Sequence, residues 1–259
     1  MIVSCFVDDP IMFAKAAADE TWYHTALDAR FDVKHHSYLS AAEPLTYCGT
    51  RIRLKDAAGQ VCMDNAAFVE KMLLEWGLIG CNPVRVPITK GTMTRLAESM
   101  KQELFYGKEE CTEFRSLLGM LHWLAATTMP KLAVAHSLLA KYTATPVEGC
   151  MEALKTAARF AAGCQDECLL FGFGGAVGLK LFTDSDWAGL HSSTGEVDSR
   201  TGGLITQGDY PVDWWSQKQK SIATSSADAE SRALGTGVSR GLELQYVADE
   251  LGISTPSRL

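Results

Sequence analysis

An α+β fold is predicted for this chain of 259 residues, and three observations predict it. Short strand-like runs bounded by turn residues fill the first 64 positions and return after residue 168. Between residues 113 and 163 apolar residues recur every three or four positions, the period of a helix with one buried face. A last stretch, residues 225 to 252, has that helical period again. The order strands, helices, strands, helix suits an α+β chain with a second mixed unit starting near residue 177.

The elements follow in order. IVSCFVDDPIMF, residues 2 to 13, reads as two short strands joined by Asp8 and Asp9, a hairpin with acids at its tip. Neighbouring aspartates repel and resist burial, so the pair is either a tight turn open to water or a place that holds a cation. Trp22, Leu27 and Phe31 come next at helical spacing. A second hairpin leads through Arg51, Ile52, Arg53 and Leu54 to a Lys-Asp-Ala-Ala-Gly turn and a short strand ending at Asp64. Asn65 suits the cap of a helix with Phe68, Met72 and Trp76 on one stripe.

Prolines at 83 and 87 end that helix, and residues 88 to 112 are expected to form an exposed linker. The helical stretch beyond presents Leu117, Leu121 and Leu124, then Leu132, Ala135 and Leu139, divided by Pro130 and Pro146. LLFGFGGAVGLKLFTDSDWAG switches to strand, glycine turn and strand, and RTGGLITQGDYPVDWWSQKQ reads as a hairpin. Either Ser225 or Ser226 can cap the long helix that follows. The expected domains are residues 1–87, 88–176 and 177–259.

Composition narrows the function classes. With 47% hydrophobic and 21% charged residues the chain can bury a core. It has no uncharged apolar run of about 18 residues, so no membrane partner is expected. The first residues lack a basic start and a small-residue cleavage site, which points to an intracellular protein rather than a secreted one. The eight cysteines form no CxxC pair and are expected to be reduced thiols. A net charge of -7 with no basic stripe weighs against non-specific nucleic-acid binding.

The chemistry concentrates in KLFTDSDWAG. An apolar strand ending in Asp184 and Asp186 puts two carboxylates at one end of a sheet, where a hard cation such as Mg²⁺ can be shared. Glu230 lies in the first turns of the long helix, and a helix packed across the sheet can bring it to the strand end. The plainer alternative is that Asp184 simply ends a strand while Glu230 answers the helix dipole.

These stretches resemble a known family. FTDSDWAG, DSRTGGLIT, WWSQKQKSIATSSADAESRAL and ELGI are similar, in order, to SDADWAG, RRSTSGY, WSSKKQ, SSTEAEYRAL and LGI of the ribonuclease H domain of copia-type retrotransposon Pol polyproteins. FVDD resembles the YxDD motif of the same polyproteins' reverse transcriptase, and residues 113 to 163 resemble the helical segment between polymerase and nuclease. The likeness covers nearly the whole chain. It implies the end of a polymerase palm, thumb and connection helices, and a partial ribonuclease H-like α/β domain.

The resemblance also implies roles. Asp8 and Asp9 would be palm carboxylates of a two-metal polymerase site, whose third aspartate is expected upstream of this sequence, so DNA synthesis by this chain alone is not expected. Asp184 and Glu230 would hold Mg²⁺ or Mn²⁺ in the nuclease, with Asp186 assisting. The family's next aspartate, in a YEDNQGA-like strand, is expected beyond Leu259, so cleavage should be impaired. Lys155, Arg159, Lys218 and Lys220 would meet the phosphates of an RNA:DNA hybrid or a template-primer. A cytoplasmic particle or the nucleus is the implied location, and nothing in the sequence sets an oligomeric state.

Three departures stand out. The family's TRPD is TMPK at Thr128–Lys131, RYLKGT is RFAAGC at Arg159–Cys164, and AEYRAL is AESRAL with Ser231 in place of an aromatic residue. They fit a decayed or re-used copy. Two other classes compete: a Mg²⁺ phosphatase with Asp184 as nucleophile and Asp186 as acid, and a non-enzymatic interaction module.

Weaker signals have bland readings. GVSRG satisfies GxSxG, yet Ser239 lies in a helical pattern where a nucleophile elbow has no place. FGFGGAVG lacks phosphate-loop spacing, Cys164 and Cys168 lack zinc partners, and His35 and His36 read as solvated loop residues. Trp214 and Trp215 alternate faces on a strand, one toward the core and the other available for base stacking.

Overall fold

A computed structural model describes the chain except residues 8, 57–58, 173–177, 191–196 and 254–259. It is a mixed helix and sheet structure, as an α+β chain should be. It divides into two compact units, Met1–Met63 with Phe171–Phe173, and Asp64–Leu170 with Gly174–Leu259.

The first unit opens on an antiparallel hairpin of β1 (Ile2–Phe6) and β2 (Asp9–Phe13), in which Phe6 pairs with Asp9 and Ile2 with Phe13. Helix α1 (Ala17–Asp28) follows, but the stripe read there is not buried: Trp22 and Phe31 are both exposed and α1 buries no residue. Strands β3 (Leu45–Tyr47) and β4 (Thr50–Leu54) make a hairpin whose two-residue turn, Cys48 and Gly49, has positive φ at both positions. That is the conformation whose twist matches the flanking strands. Strand β5 (Val61–Asp64) continues the sheet after a turn in which Asp56 accepts from the Gln60 N–H.

The second unit is built on one helical core. Helix α2 (Ala66–Glu75) buries Val69 and Met72, and Trp76 caps its end. The Asn65 side chain does not cap it; it donates to the Thr127 hydroxyl, while Asp64 accepts from the Ala66 N–H.

Residues 88 to 112 correct the expectation of an exposed linker. They carry α3 (Lys90–Lys101), capped by Thr89, whose hydroxyl accepts from Thr92 N–H, and anchored by buried Met93 and Leu96. Helices α4 (Lys108–Thr127), α5 (Ala133–Leu139) and α6 (Cys150–Gly163) contribute Phe114, Leu121, Leu124, Leu132, Leu139 and Leu154 to the same core. Pro130 opens a short 3-10 turn between α4 and α5, where its missing N–H costs nothing.

After β6 (Leu169–Phe171), strands β7 (Leu179–Asp186), β8 (Arg200–Gln207) and β9 (Tyr210–Lys218) form an antiparallel sheet in that order. Helix α7 (Ser226–Glu250) lies on one face of it. Ala229, Ala233, Gly237 and Gly241 repeat every fourth residue and give α7 a flat side. A Cβ on Gly237 would stand 2.5 Å from Thr183 Cγ2, so the close approach depends on this glycine. On the opposite face Trp214 Nε1 donates to the Ala125 carbonyl of α4 at 2.6 Å, which ties β9 to the helical core.

Cys62 and Cys168 are disulfide-bonded, which corrects the expectation that every thiol stays reduced; Cys150 and Cys164 are among the free ones.

Candidate functional site

Strand β7 alternates strictly. Leu181, Thr183 and Ser185 face α7, whereas Lys180, Phe182, Asp184 and Asp186 occupy the exposed positions. Ser225 caps α7 by accepting from the Asp228 N–H, so the helix starts with Glu230 in its second turn. This start point and the close packing at Gly237 aim Glu230 at the end of β7. One oxygen of Glu230 accepts from the Ser185 backbone N–H at 3.2 Å and from the Ser185 hydroxyl at 2.8 Å.

Glu230 therefore seats on the residue between the two aspartates, while Asp184 and Asp186 lie on the other side of the pleat. Asp186 packs against Gly189, where a Cβ would collide with its carboxylate, and it stands opposite Arg200 in the strand register. Burial lowers the pKa of Arg200, and the nearby carboxylates of Asp186 and Asp198 act against that shift. The Arg200 guanidinium also donates to the Ser137 hydroxyl of α5. Asp184 pairs across the strand with Gly202, which offers no side chain to cover it.

A hard cation needs oxygens converging on one point. Among the described residues no three or more His, Cys, Asp or Glu side chains are grouped to hold a metal ion. Asp184 and Glu230 lie at the same strand end but on opposite faces of β7.

The other expected residues are dispersed. Asp9 begins β2 on an exposed surface, and Asp8 lies outside the described residues. Lys155 and Lys220 are exposed, but Arg159 Nε donates to the Asn82 carbonyl at 2.8 Å and Lys218 is paired with Asp198 at 2.6 Å.

Trp215 is the core member of the pair, buried over Gly203 with the Arg240 guanidinium 4.6 Å from its ring, while Trp214 is half-buried and donates through Nε1 to the Ala125 carbonyl of α4. His36 lies in the irregular segment after α1, partly exposed, where it stacks on His24 at 4.0 Å and meets Asp28. Ser239 bonds back to the Gly235 carbonyl within α7, as a helix-surface serine does. Lys131 of TMPK pairs with Glu167 at 2.6 Å, so the reversed charge has a local partner.

Sequence reasoning missed two contributors. Ser185 positions Glu230, and Gln219 is buried at the end of β9, donating to Thr201 and to the Ala229 carbonyl of α7. The signal for Ser185 was its place between two acids on an alternating strand. Gln219 had none beyond an amide in WWSQKQ.

No protein-family model matches the chain, and no solved structure matches it. Curated proteins do. It is 29% identical over 256 residues to the retrovirus-related Pol polyprotein from transposon RE1 of Arabidopsis thaliana, an alignment spanning 96% of this chain and 16% of that protein. The corresponding polyprotein from transposon RE2 of the same plant is 31% identical over 233 residues, 88% of this chain and 14% of the relative. The one from transposon TNT 1-94 of Nicotiana tabacum is 25% identical over 258 residues, 98% of this chain and 18% of the relative. The chain thus spans less than a fifth of the length of these relatives. No described helix is long and apolar enough to cross a membrane.

Proposed function

The chain belongs to the retrovirus-related Pol polyproteins of copia-type transposons, and from that premise we propose that it carries the end of a reverse transcriptase palm, thumb and connection helices, and a ribonuclease H-like domain on β7, β8, β9 and α7. In the parent polyprotein these parts would serve RNA-directed DNA synthesis on a template-primer and hydrolysis of the RNA strand of RNA:DNA hybrids. The observation that carries the reading is the seating of Glu230 on Ser185, between Asp184 and Asp186.

In that role Asp184 and Glu230 would hold Mg²⁺ or Mn²⁺ once the two carboxylates, which start from opposite faces of β7, turn to a common point past the strand end, and Ser185 positions the Glu230 carboxylate. Asp186 adds negative potential at the same strand end. The ion, when bound, supplies a polarised water and neutralises charge at the scissile phosphate. Exposed Lys155 and Lys220 draw in the hybrid, which is recognised by shape and 2′-hydroxyls. Lys218 and Arg159 join them only by leaving Asp198 and the Asn82 carbonyl. Hydrolysis is slow, because one Glu230 oxygen is already committed to two donors and the described carboxylates form no group of three.

A labelled hybrid tests this. The chain should bind hybrid above DNA duplex of equal length, and any cleavage in Mg²⁺ or Mn²⁺ should vanish in Asp184→Asn and Glu230→Gln. Equal affinity for both duplexes with no cleavage would reject the nuclease reading. A second reading, a non-enzymatic interaction module, is favoured by the engagement of Lys218 and Arg159 inside the protein. It expects a folded chain indifferent to hybrids.

A further inference from the structure

Helices α4 and α5 carry one histidine each, and the two rings meet. His122 of α4 is exposed, His136 of α5 is half-buried, and their ring centres stand 4.4 Å apart with the planes tilted by 31°. The meeting follows from the chain: the short turn at Pro130–Leu132 brings α5 against α4, and Leu121, Leu124, Ala135 and Leu139 bury the other sides of the two helices in the core. A neutral imidazole carries one donor and one acceptor nitrogen, and a half-buried one usually finds partners for them. Among the described residues neither ring has a hydrogen bond or an ion pair. Burial, with the His122 ring as the second cause, lowers the pKa of His136 to about 4, so at neutral pH this ring is uncharged and one of its nitrogens offers a lone pair.

Two imidazoles without other partners are the donor set of a borderline dication. With a metal–nitrogen bond of about 2.1 Å the centre of a ligating ring lies about 3.2 Å from the metal, so two rings bound at right angles stand about 4.5 Å apart. His122 and His136 already have that separation, at 4.4 Å. A rotation of the exposed His122 ring about its own side-chain bonds is what remains to aim one nitrogen of each ring at a common point. The described residues add no third His, Cys, Asp or Glu, so water fills the other positions and the affinity is that of a two-ligand site.

We propose that His122 and His136 form a two-imidazole site for a borderline divalent cation such as Ni²⁺ or Zn²⁺, which bridges α4 and α5 and clamps that corner of the helical core. Affinity follows the order set by nitrogen donors, with Ni²⁺ well above Mn²⁺. The site is independent of the nuclease reading: it shares no residue with β7 or α7, and it takes a softer ion than carboxylates do.

Thermal melts of the full chain at neutral pH, with and without Ni²⁺, test it. An ion bound to the folded state alone raises the midpoint, by about 3 °C at a tenfold excess over its Kd. His122→Ala removes one ligand from an exposed position and should cancel the rise. His136→Asn should cancel it too, and His122→Ala carries the test if the half-buried substitution does not fold. His24→Ala, which breaks the stacked pair of His24 and His36 in the other unit, should leave the rise unchanged. Mn²⁺ at the same concentration should give none. A parent chain that Ni²⁺ does not stabilise overturns the proposal. So does a rise that survives His122→Ala, one that His24→Ala cancels, or one that Mn²⁺ equals.

Discussion

Ser185 gives both its backbone N–H and its hydroxyl to the same oxygen of Glu230, at 3.2 and 2.8 Å. Strand β7 and helix α7, distant in sequence, are thereby joined at the end of the strand that carries Asp184 and Asp186.

Ser185→Ala keeps the backbone bond and removes the hydroxyl bond. A hydrogen bond to a charged group contributes about 1.5–3 kcal/mol, and exposure at this site brings the expected loss toward about 1 kcal/mol. Urea denaturation of Ser185→Ala, Glu230→Gln and the double variant should show the two losses to be non-additive.

Two glycines of the second unit should respond in opposite directions to the same substitution. Gly237→Ala forces a Cβ to 2.5 Å from Thr183 Cγ2 and 2.8 Å from Leu181 Cδ1, so it should destabilise by about 1–3 kcal/mol. Gly235→Ala, one half-turn away, meets nothing within 4 Å and should stabilise by up to about 1 kcal/mol through helix propensity. Thermal melts of the pair measure both.

His136 should make the helical core acid-sensitive. Burial, helped by the nearby His122 ring, lowers its pKa from 6.5 to about 4. Between those values the unfolded chain binds the proton and the folded chain does not, so stability should fall as pH drops from 6.5 and level off below about 4. After allowance for a half-buried ring the loss is about 1–2 kcal/mol. Denaturation midpoints of the parent and His136→Asn at pH 7 and pH 4.5 should diverge, with the variant the flatter.

Asp228 titrates in the same direction but lower. Its hydrogen bond from Arg232, then the one from the Thr224 N–H, hold its pKa near 2 rather than 3.8. Its contribution is fully present above pH 3.8 and disappears as pH falls toward 2. Arg232→Gln should raise the Asp228 pKa toward 3.8, as read by nuclear magnetic resonance titration of the carboxyl group, and remove most of this contribution at neutral pH while flattening the acid limb.

Much of this was legible in the sequence because it depends on local pattern. The alternation of β7, the β8–β9 hairpin and the capped α7 follow from side-chain period and turn chemistry. Helix α3 was hidden because prolines at 83 and 87 and a polar composition resemble a linker. Its true signals were Thr89 as cap and Met93 and Leu96 one turn apart. The engagement of both indoles could not be read from alternation, since helices meet both faces of β9: half-buried Trp214 reaches α4, and buried Trp215 stacks beneath Arg240 of α7. Glu230 could be aimed at the strand end from helix packing, but its seat on Ser185 is a tertiary fact that no local spacing encodes.

The most direct measurement is a Mn²⁺ titration of the full chain, followed by the paramagnetic signal of the free ion, for the parent, Asp184→Asn and Glu230→Gln. The account predicts one weak site, with a Kd on the order of 1 mM as expected for a two-carboxylate site, that both substitutions abolish. Binding that neither substitution weakens would contradict the pairing of Asp184 with Glu230 as metal ligands.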